Sequence, residues 1–211
     1  MNKLRALIGT LFLLVAGMAG AQQALREGVD YSVLAQPQPT ERGKIEVTEF
    51  FSYMCPHCAH FEPVLEPWVK ALPKDVVFHR VPVVFRPQWE APARLYLTLE
   101  TMNEVDRLQV PVFNAIHVEN SNLTSDAGVM EWIAKKGVDA RKFSDVYNSF
   151  ALQSKLLHAK QATAAYGIDS VPSIVVAGKY RAPTDKFTGT HEDLLKVVNA
   201  LIVKARREQK R

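Results

Sequence analysis

The sequence is poor in cysteine, has no long hydrophobic run beyond its N-terminus, and has no large excess of one charge. It holds 2 cysteines in 211 residues, and its 26 basic residues nearly balance 22 acidic ones. That balance excludes the strongly basic surface typical of nucleic-acid-binding proteins, so we expect no nucleic-acid partner. A chain of this length buries a sizeable core without disulfides, so the cysteines are not needed as structural staples.

The N-terminal residues have the pattern of a secretory signal. Lys3 and Arg5 precede an apolar run over residues 6–16, and residues 19–21 have the small-x-small pattern of a cleavage site. The run is about half as long as the roughly 20 residues that cross a bilayer, which favours removal over a retained anchor. We therefore predict that residues 1–21 are a signal peptide and that the mature protein is exported.

Hydrophobic patterning predicts a strand that leads directly into a helix carrying both cysteines. Residues 45–51 are β-branched and aromatic, as is typical of a strand, and apolar residues at helical spacing follow over 61–72. Pro56 suits the first position of this helix. Cys55 is then the N-cap residue, and Cys58 lies in the first turn.

Two prolines lie inside the same predicted helix. Pro63 and Pro67 each lack the backbone N–H that the helical hydrogen-bond ladder needs, and each ring crowds the preceding turn. We therefore expect a kink or an early break of the helix at these positions.

The rest of the sequence predicts an α/β protein that contains a block of helices. A second strand region covers residues 76–85 and is interrupted by Pro82, and most of the stretch 90–167 has helical spacing. A strand over 173–176, a turn at 177–179 into a short partner strand, and a last helix capped by Thr190 complete the order. The order of elements is strand, helix, strand, helical block, strand pair and helix.

Cys55-Pro56-His57-Cys58 indicates disulfide-exchange chemistry, which needs a thiolate and a second thiol close enough to close the ring. The N-cap position places Cys55 beside unpaired backbone N–H groups and the positive end of the helix dipole. Both favour its thiolate, and a protonated His57 adds a positive charge. A stabilised thiolate stabilises the reduced protein, so we predict an oxidant in which Cys58 is the buried resolving thiol.

Two other interpretations use the same cysteines. Zinc sites built on such a pair recruit a second pair of ligands, and although His57 and His60 lie nearby, no further cysteine exists. A structural disulfide over so short a loop would remove little entropy from the unfolded chain. We therefore predict redox chemistry with no metal and no bound cofactor.

Glu49 and Pro172 are candidate functional residues outside the cysteine motif. Glu49 lies in the predicted first strand, either at an exposed position or as a buried acid that relays the proton of Cys58. The Val171–Pro172 bond opens a strand and is either trans or cis. A cis bond beside the cysteines would present the backbone of Val171 to an extended substrate peptide.

These motifs resemble the DsbA family of exported thiol–disulfide oxidases. The resemblance rests on the export signal, on residues 49–54 before the cysteine motif, on the helical block and on Val171-Pro172. It implies a thioredoxin-like fold formed by residues 22–87 and 167–211, with an inserted helical domain over 88–166.

The resemblance also implies roles and partners. Cys55 would be the nucleophilic cysteine and Glu49 the buried acid, with Arg80 a weaker match to a basic position on the neighbouring strand. Clients would be reduced or unfolded exported proteins in the periplasm, and a membrane DsbB-like quinone reductase would re-oxidise a monomeric enzyme. The residues implied for catalysis are Cys55, Pro56, His57, Cys58, Pro172 and Glu49, and those implied for substrate binding are His57, Val171 and Pro172.

Two alternatives to a dithiol oxidase stay open. A disulfide isomerase or reductase would use the same motif, but dimeric isomerases carry a separate N-terminal dimerisation domain, for which few residues precede Ile45. A peptide-binding, chaperone-like module with an incidental disulfide would not depend on Cys55. Redox equilibrium with glutathione separates the first alternative from an oxidase, and substitution of Cys55 separates the second.

Overall fold

Five strands form one mixed sheet. The computed structural model describes residues 25–183 and 189–210, so the predicted signal peptide lies outside the described residues. The sheet order is β1-β5-β4-β2-β3, with β2 parallel to β3 and antiparallel to β4. The strands are β1 (Ser32–Val33), β2 (Ile45–Phe51), β3 (Val76–Pro82), β4 (Ser173–Val176) and β5 (Tyr180–Arg181).

Seven α-helices accompany the sheet in the described part of the chain. A short 3-10 helix precedes α2, and five helices lie between β3 and β4. The helices are α1 (Pro56–Lys70), α2 (Glu90–Thr101), α3 (Val105–His117), α4 (Asp126–Ala134), α5 (Ala140–Tyr147), α6 (Phe150–Ala165) and α7 (His191–Gln209). The predicted α/β order with a helical block is confirmed from β2 onward, whereas β1 was not predicted from the sequence. The domain boundaries at 87/88 and 166/167 stay predictions.

The prediction of an early break in α1 is wrong. The helix runs from Pro56 to Lys70 with both internal prolines in place. Pro63 and Pro67 are exposed and one turn apart, so they lie on the solvent side of the helix. Water can bond the carbonyls that they leave without a partner, while the opposite side of α1 stays packed in the core.

Strand β3 ends slightly earlier than predicted, and helix α7 begins where predicted. β3 ends at Pro82 rather than near residue 85, because proline has no N–H to donate to the ladder. One more backbone bond follows it, from Val83 N–H to the carbonyl of Phe51 at 2.8 Å. α7 begins at the predicted cap, where the Thr190 side chain and Asp193 form a capping box.

β2 is covered on both faces, and this decides where its side chains lie. Val47 belongs to the core that includes Phe61 of α1 and several residues of α7. Phe50 points the other way and packs against Tyr166, with ring centroids 5.0 Å apart. Because side chains alternate along a strand, Glu49 shares the face of Val47, which α1 covers.

Gly128 lies where α4 approaches the preceding loop too closely for a side chain. A Cβ atom at this position would be 1.8 Å from the carbonyl oxygen of Asn122 and 3.3 Å from Oγ of Ser125. The Ser125 hydroxyl caps the same helix by accepting a hydrogen bond from the Gly128 N–H at 3.2 Å. Glycine is therefore required here although it is a poor helix former.

We expect Gly128→Ala to lower the free energy of unfolding by about 2 kcal/mol, because overpacking outweighs the better helix propensity of alanine. Urea denaturation measures the change. Ala127→Ser, at the neighbouring exposed position, is the control and should change little. An unchanged or increased stability of the alanine variant would show that the loop and the helix are not in close contact.

Candidate active site

Cys55 lies at the start of α1 as predicted. It is the N-cap residue, its backbone is extended (φ −95°, ψ 116°), and Pro56 occupies the first turn. Both cysteines are free thiols and both are buried, whereas Pro56 and His57 are exposed. The structure therefore presents the reduced form, with the motif between the thiols facing solvent.

Hydrogen bonds to the charged form lower the pKa of the Cys55 thiol to about 6. The Cys58 thiol makes the largest contribution, and the backbone N–H groups of Cys58 and His57 add to it. Attraction by a charged His57 acts in the same direction, while burial opposes the shift. Cys55 is therefore mainly a thiolate at neutral pH.

The neighbouring thiol shifts the other way. Burial raises the pKa of Cys58 well above its ordinary value, and its hydrogen bond to Cys55 raises it further. The negative charges of Cys55 and Glu49 act in the same direction. The two thiols are thus divided into one that is readily ionised and one that holds its proton.

The backbone of Val171 lies directly beside the ionisable thiol. The Val171–Pro172 peptide bond is cis. In its protonated form, Cys55 donates a hydrogen bond from Sγ to the carbonyl oxygen of Val171 at 3.3 Å. A backbone hydrogen-bond acceptor therefore lies next to the reactive sulfur.

Glu49 is 1% exposed, which excludes the solvent-exposed position considered from the sequence. Arg80 lies opposite it in the register of β2 and β3. The Arg80 Nε atom donates to Oε2 of Glu49 at 2.9 Å, so the two side chains form a buried ion pair. The strand pairing itself brings this pair together.

A second buried carboxylate, Glu62, joins this pair. Arg80 Nη2 donates to Oε1 of Glu62 at 2.8 Å, and Gln109 Nε2 donates to Oε2 of Glu62 at 3.2 Å. The Tyr53 hydroxyl donates to Gln109 Oε1 at 2.5 Å. The Arg80 guanidinium thus donates hydrogen bonds to two buried carboxyl groups. Together with Gln109 they form a chain of hydrogen bonds that links β2 to α3.

One positive charge cannot compensate two buried negative ones, so the pKa values of both acids rise. Burial raises the pKa of Glu49 to about 7 against the attraction of Arg80, and repulsion by Glu62 and Cys55 adds to the rise. Burial also raises the pKa of Glu62. Near neutral pH the network therefore holds a proton that it can exchange.

Three residues of this region, Glu62, Gln109 and His117, are not predicted from the sequence. Glu62 follows Cys58 by one helical turn, so its spacing places it on the same face of α1, and this signal was available. Gln109 and His117 come from α3, more than fifty residues after the two cysteines. His117 Nε2 lies 2.8 Å from the carbonyl oxygen of Tyr53, a contact that no local pattern indicates.

The described residues contain no group of three or more His, Cys, Asp or Glu side chains that could hold a metal ion. His57 and His60, the histidines considered as zinc ligands, are both exposed, whereas Cys58 is buried. Over the same ranges, no helix combines the length and the apolar character needed to cross a bilayer.

We expect iodoacetamide to label Cys55 at pH 7 at least about tenfold faster than Cys58, because only Cys55 is mainly thiolate. The rate should fall as the pH drops through about 6. Peptide mass spectrometry identifies the labelled cysteine. The control is Cys55→Ser, in which labelling should be slow. A midpoint for Cys55 near the roughly 8.5 of an unperturbed thiol would contradict the assignment.

The raised pKa of Glu49 makes stability depend on pH. Between about 4.5 and 7 the folded protein binds more protons at this group than the unfolded chain does. The free energy of unfolding therefore falls as the pH rises, by at most about 1.4 kcal/mol per pH unit for one group. We expect Glu49→Gln to flatten this slope in urea denaturation of the disulfide form.

The disulfide form is used because it removes thiol titration from the measurement. It also removes the Cys55 charge, the smallest cause of the raised Glu49 pKa, so that burial and Glu62 account for the remaining rise. Glu131→Gln replaces an exposed carboxylate of α4 and is the matched control. Its stability should keep the wild-type dependence between pH 4.5 and 7. An equal slope in wild type and Glu49→Gln would mean that Glu49 ionises as readily in the folded protein as in the unfolded chain.

Comparison with known proteins places this geometry in a family. The family model of the DSBA-like thioredoxin domain matches residues 46–195. The thiol:disulfide interchange protein DsbA of Pseudomonas aeruginosa is 40% identical over 212 residues, which cover 99% of this chain and 100% of the relative. The protein of the same name from Bordetella pertussis is 40% identical over 199 residues, which cover 94% of this chain and 91% of the relative.

Solved structures agree with the sequence relatives. A crystal structure of Pseudomonas aeruginosa DsbA matches with a TM-score of 0.81 and 41% identity, covering 86% of this chain and 95% of that chain. The crystal structure of reduced DsbA1 from Neisseria meningitidis matches with a TM-score of 0.80 and 31% identity, covering 89% of this chain and 98% of that chain. The predicted thioredoxin-like fold with an inserted helical block is therefore confirmed, and the chain belongs to the DSBA-like thioredoxin domain family.

Proposed function

We propose that the protein is a thiol:disulfide oxidoreductase that donates a Cys55–Cys58 disulfide to newly exported proteins. The observation that carries this proposal is the opposite shift of the two thiol pKa values, downward at Cys55 and upward at Cys58. The low pKa stabilises the reduced protein relative to the disulfide, so the disulfide is readily given away. Family membership supports the same activity.

The first step is attack by a client thiolate on the Cys55 sulfur. A mixed disulfide forms between the client and Cys55, the Cys55–Cys58 bond breaks, and the bonding electrons leave with Cys58. Because the pKa of the Cys58 thiol is raised, its thiolate takes up a proton at once. Glu49 is the proposed donor, since burial raises its pKa to about 7 and its charge influences Cys58.

The second step releases Cys55. A second client thiolate attacks the client sulfur of the mixed disulfide, and Cys55 leaves with the electron pair as a thiolate. Its lowered pKa makes it a good leaving group, and the N–H groups of His57 and Cys58 donate hydrogen bonds to the thiolate as it forms. The client has gained a disulfide, and the enzyme is left with the thiolate of Cys55 and the thiol of Cys58.

Val171 is the proposed docking point for the client backbone. Its carbonyl oxygen accepts a hydrogen bond from the Cys55 thiol, and ionisation or a mixed disulfide removes that donor. A backbone N–H of an extended client peptide then replaces it, as in strand addition. Pro172 and the exposed side chain of His57 would border the same peptide.

The remaining parts of the proposal concern the cell. The clients are reduced or unfolded exported proteins in the periplasm, and the pattern of residues 1–21 supports export. A membrane quinone reductase of the DsbB type re-oxidises the dithiol, and the enzyme acts as a monomer without a bound cofactor. Helical residues 88–166 form the proposed insert between the two parts of the thioredoxin-like domain.

We expect the purified disulfide form to oxidise a reduced, unfolded test protein, and Cys55→Ser to abolish this activity because no disulfide remains to be transferred. Thiol loss of the test protein measures the reaction. The equilibrium with glutathione should give a potential above about −200 mV, against about −270 mV for thioredoxin.

Each alternative predicts a different result in these measurements. A reductase would show a potential near that of thioredoxin, and an isomerase would reactivate scrambled disulfides more efficiently than it oxidises thiols. A chaperone-like module would keep its effect on the test protein after Cys55→Ser. Any of these outcomes would overturn the assignment as a dithiol oxidase.

A further inference from the structure

The residues just before Cys55 form a turn in which both the N–H and the carbonyl of the central peptide are hydrogen-bonded to side chains. The N–H of Cys55 donates to the carbonyl oxygen of Ser52 at 3.1 Å, which makes Tyr53 and Met54 the two central residues. The N–H of the peptide between them donates to Oγ of Ser52 at 3.2 Å. The carbonyl of the same peptide accepts from Nε2 of His117 at 2.8 Å.

The direction of the last bond is determined by chemistry. A backbone carbonyl only accepts, so Nε2 of His117 carries the hydrogen. Phe113, one turn earlier in α3, stacks on the imidazole at 6.2 Å between centroids and an interplanar angle of 26°. The ring is thereby held in the orientation in which its N–H faces Tyr53.

A second residue of α3 holds the other end of Tyr53. The phenol hydroxyl donates to Oε1 of Gln109 at 2.5 Å, and the ring is buried. Gln109 and His117 are eight residues apart, or about 12 Å along the helix axis. One helix of the helical block therefore binds both the side chain and the backbone of a residue two positions before the reactive cysteine.

This peptide matters because the common turn types I and II differ by a flip of their central peptide. A flip would turn the Tyr53 carbonyl away from His117 and move the Met54 N–H away from Ser52. It would also give Met54 the positive φ that a side chain rarely adopts, so the turn resists a full flip. A partial rotation of the same peptide tilts the backbone that leads into the N-cap position. The N–H groups that stabilise the Cys55 thiolate depend on that tilt, since they belong to the first turn of α1.

We propose that α3 sets the geometry of the reactive cysteine through Tyr53, with His117 as the positioning residue that locks the Tyr53–Met54 peptide. The described side-chain hydrogen bond of His117 goes to the Tyr53 carbonyl and not to either thiol. His117 acts through the turn, and the helical block thereby participates in the redox chemistry in addition to any contact with clients. The inference rests on the proposed function only in taking Cys55 as the reactive cysteine.

The test compares His117→Leu, which removes the donor, with His117→Gln, whose amide nitrogen reaches about as far from the backbone as Nε2. Loss of one hydrogen bond should make the equilibrium with glutathione about three- to tenfold less oxidising. The Cys55 titration midpoint, followed by thiolate absorbance, should rise by about half to one pH unit. The glutamine variant should recover most of both values.

His158→Leu is the matched control, because His158 is exposed on α6 and its imidazole makes no hydrogen bond within the described part of the chain. It should leave the midpoint and the equilibrium unchanged. Tyr53→Phe removes only the Gln109 bond, and the double variant with His117→Leu tests whether the two contacts act together. Non-additive shifts of the midpoint are expected.

A merely structural role would lower the free energy of unfolding of His117→Leu without moving the Cys55 midpoint or the glutathione equilibrium. That result would overturn the proposal, as would equal midpoints for the leucine and glutamine variants. If the wild type fails to oxidise clients, the midpoint still reports on His117. Failure of the proposed function is thus distinguishable from failure of this inference.

Discussion

The hydrogen bonds that the Cys55 thiolate receives at the start of α1 determine the chemistry of this protein. They come from the Cys58 thiol and from backbone N–H groups that no helical carbonyl can satisfy. The backbone N–H groups are fixed by the helix itself and need no reorganisation when charge develops on the sulfur, and the Cys58 thiol joins them once it is protonated. The reduced state gains this stabilisation and the disulfide does not, and this difference drives transfer of the disulfide.

The buried charges near the cysteines are electrostatically unfavourable for the folded protein. Glu49 and Glu62 are buried and share one guanidinium, that of Arg80. Burial of charge is unfavourable unless it is compensated, and here the compensation is incomplete, which raises the pKa values of both acids. A protonated acid near neutral pH is the property that a partner for the high-pKa Cys58 thiol requires.

The helical block is part of the active site as well as a neighbour of it. Cys55 and Cys58 belong to the same hydrophobic core as residues of α2, α3, α4 and α5. Through Gln109 the block reaches the buried acids, and through His117 it reaches the backbone before Cys55. The redox pair therefore lies between the sheet and the helical block, and its environment depends on how these two parts pack together.

Local patterns in the sequence were sufficient for the strand before the cysteines, the N-cap position of Cys55, the cap at Thr190 and the helical block, because each depends on residues close together in the chain. The length of α1 was misjudged, since only the packed structure places Pro63 and Pro67 on the solvent side. Burial of Glu49, its pairing with Arg80, the recruitment of Glu62 and the contact of His117 with Tyr53 required the tertiary structure. These features arise where segments distant in sequence meet, and a pKa or a hydrogen bond depends on that whole environment rather than on residue type.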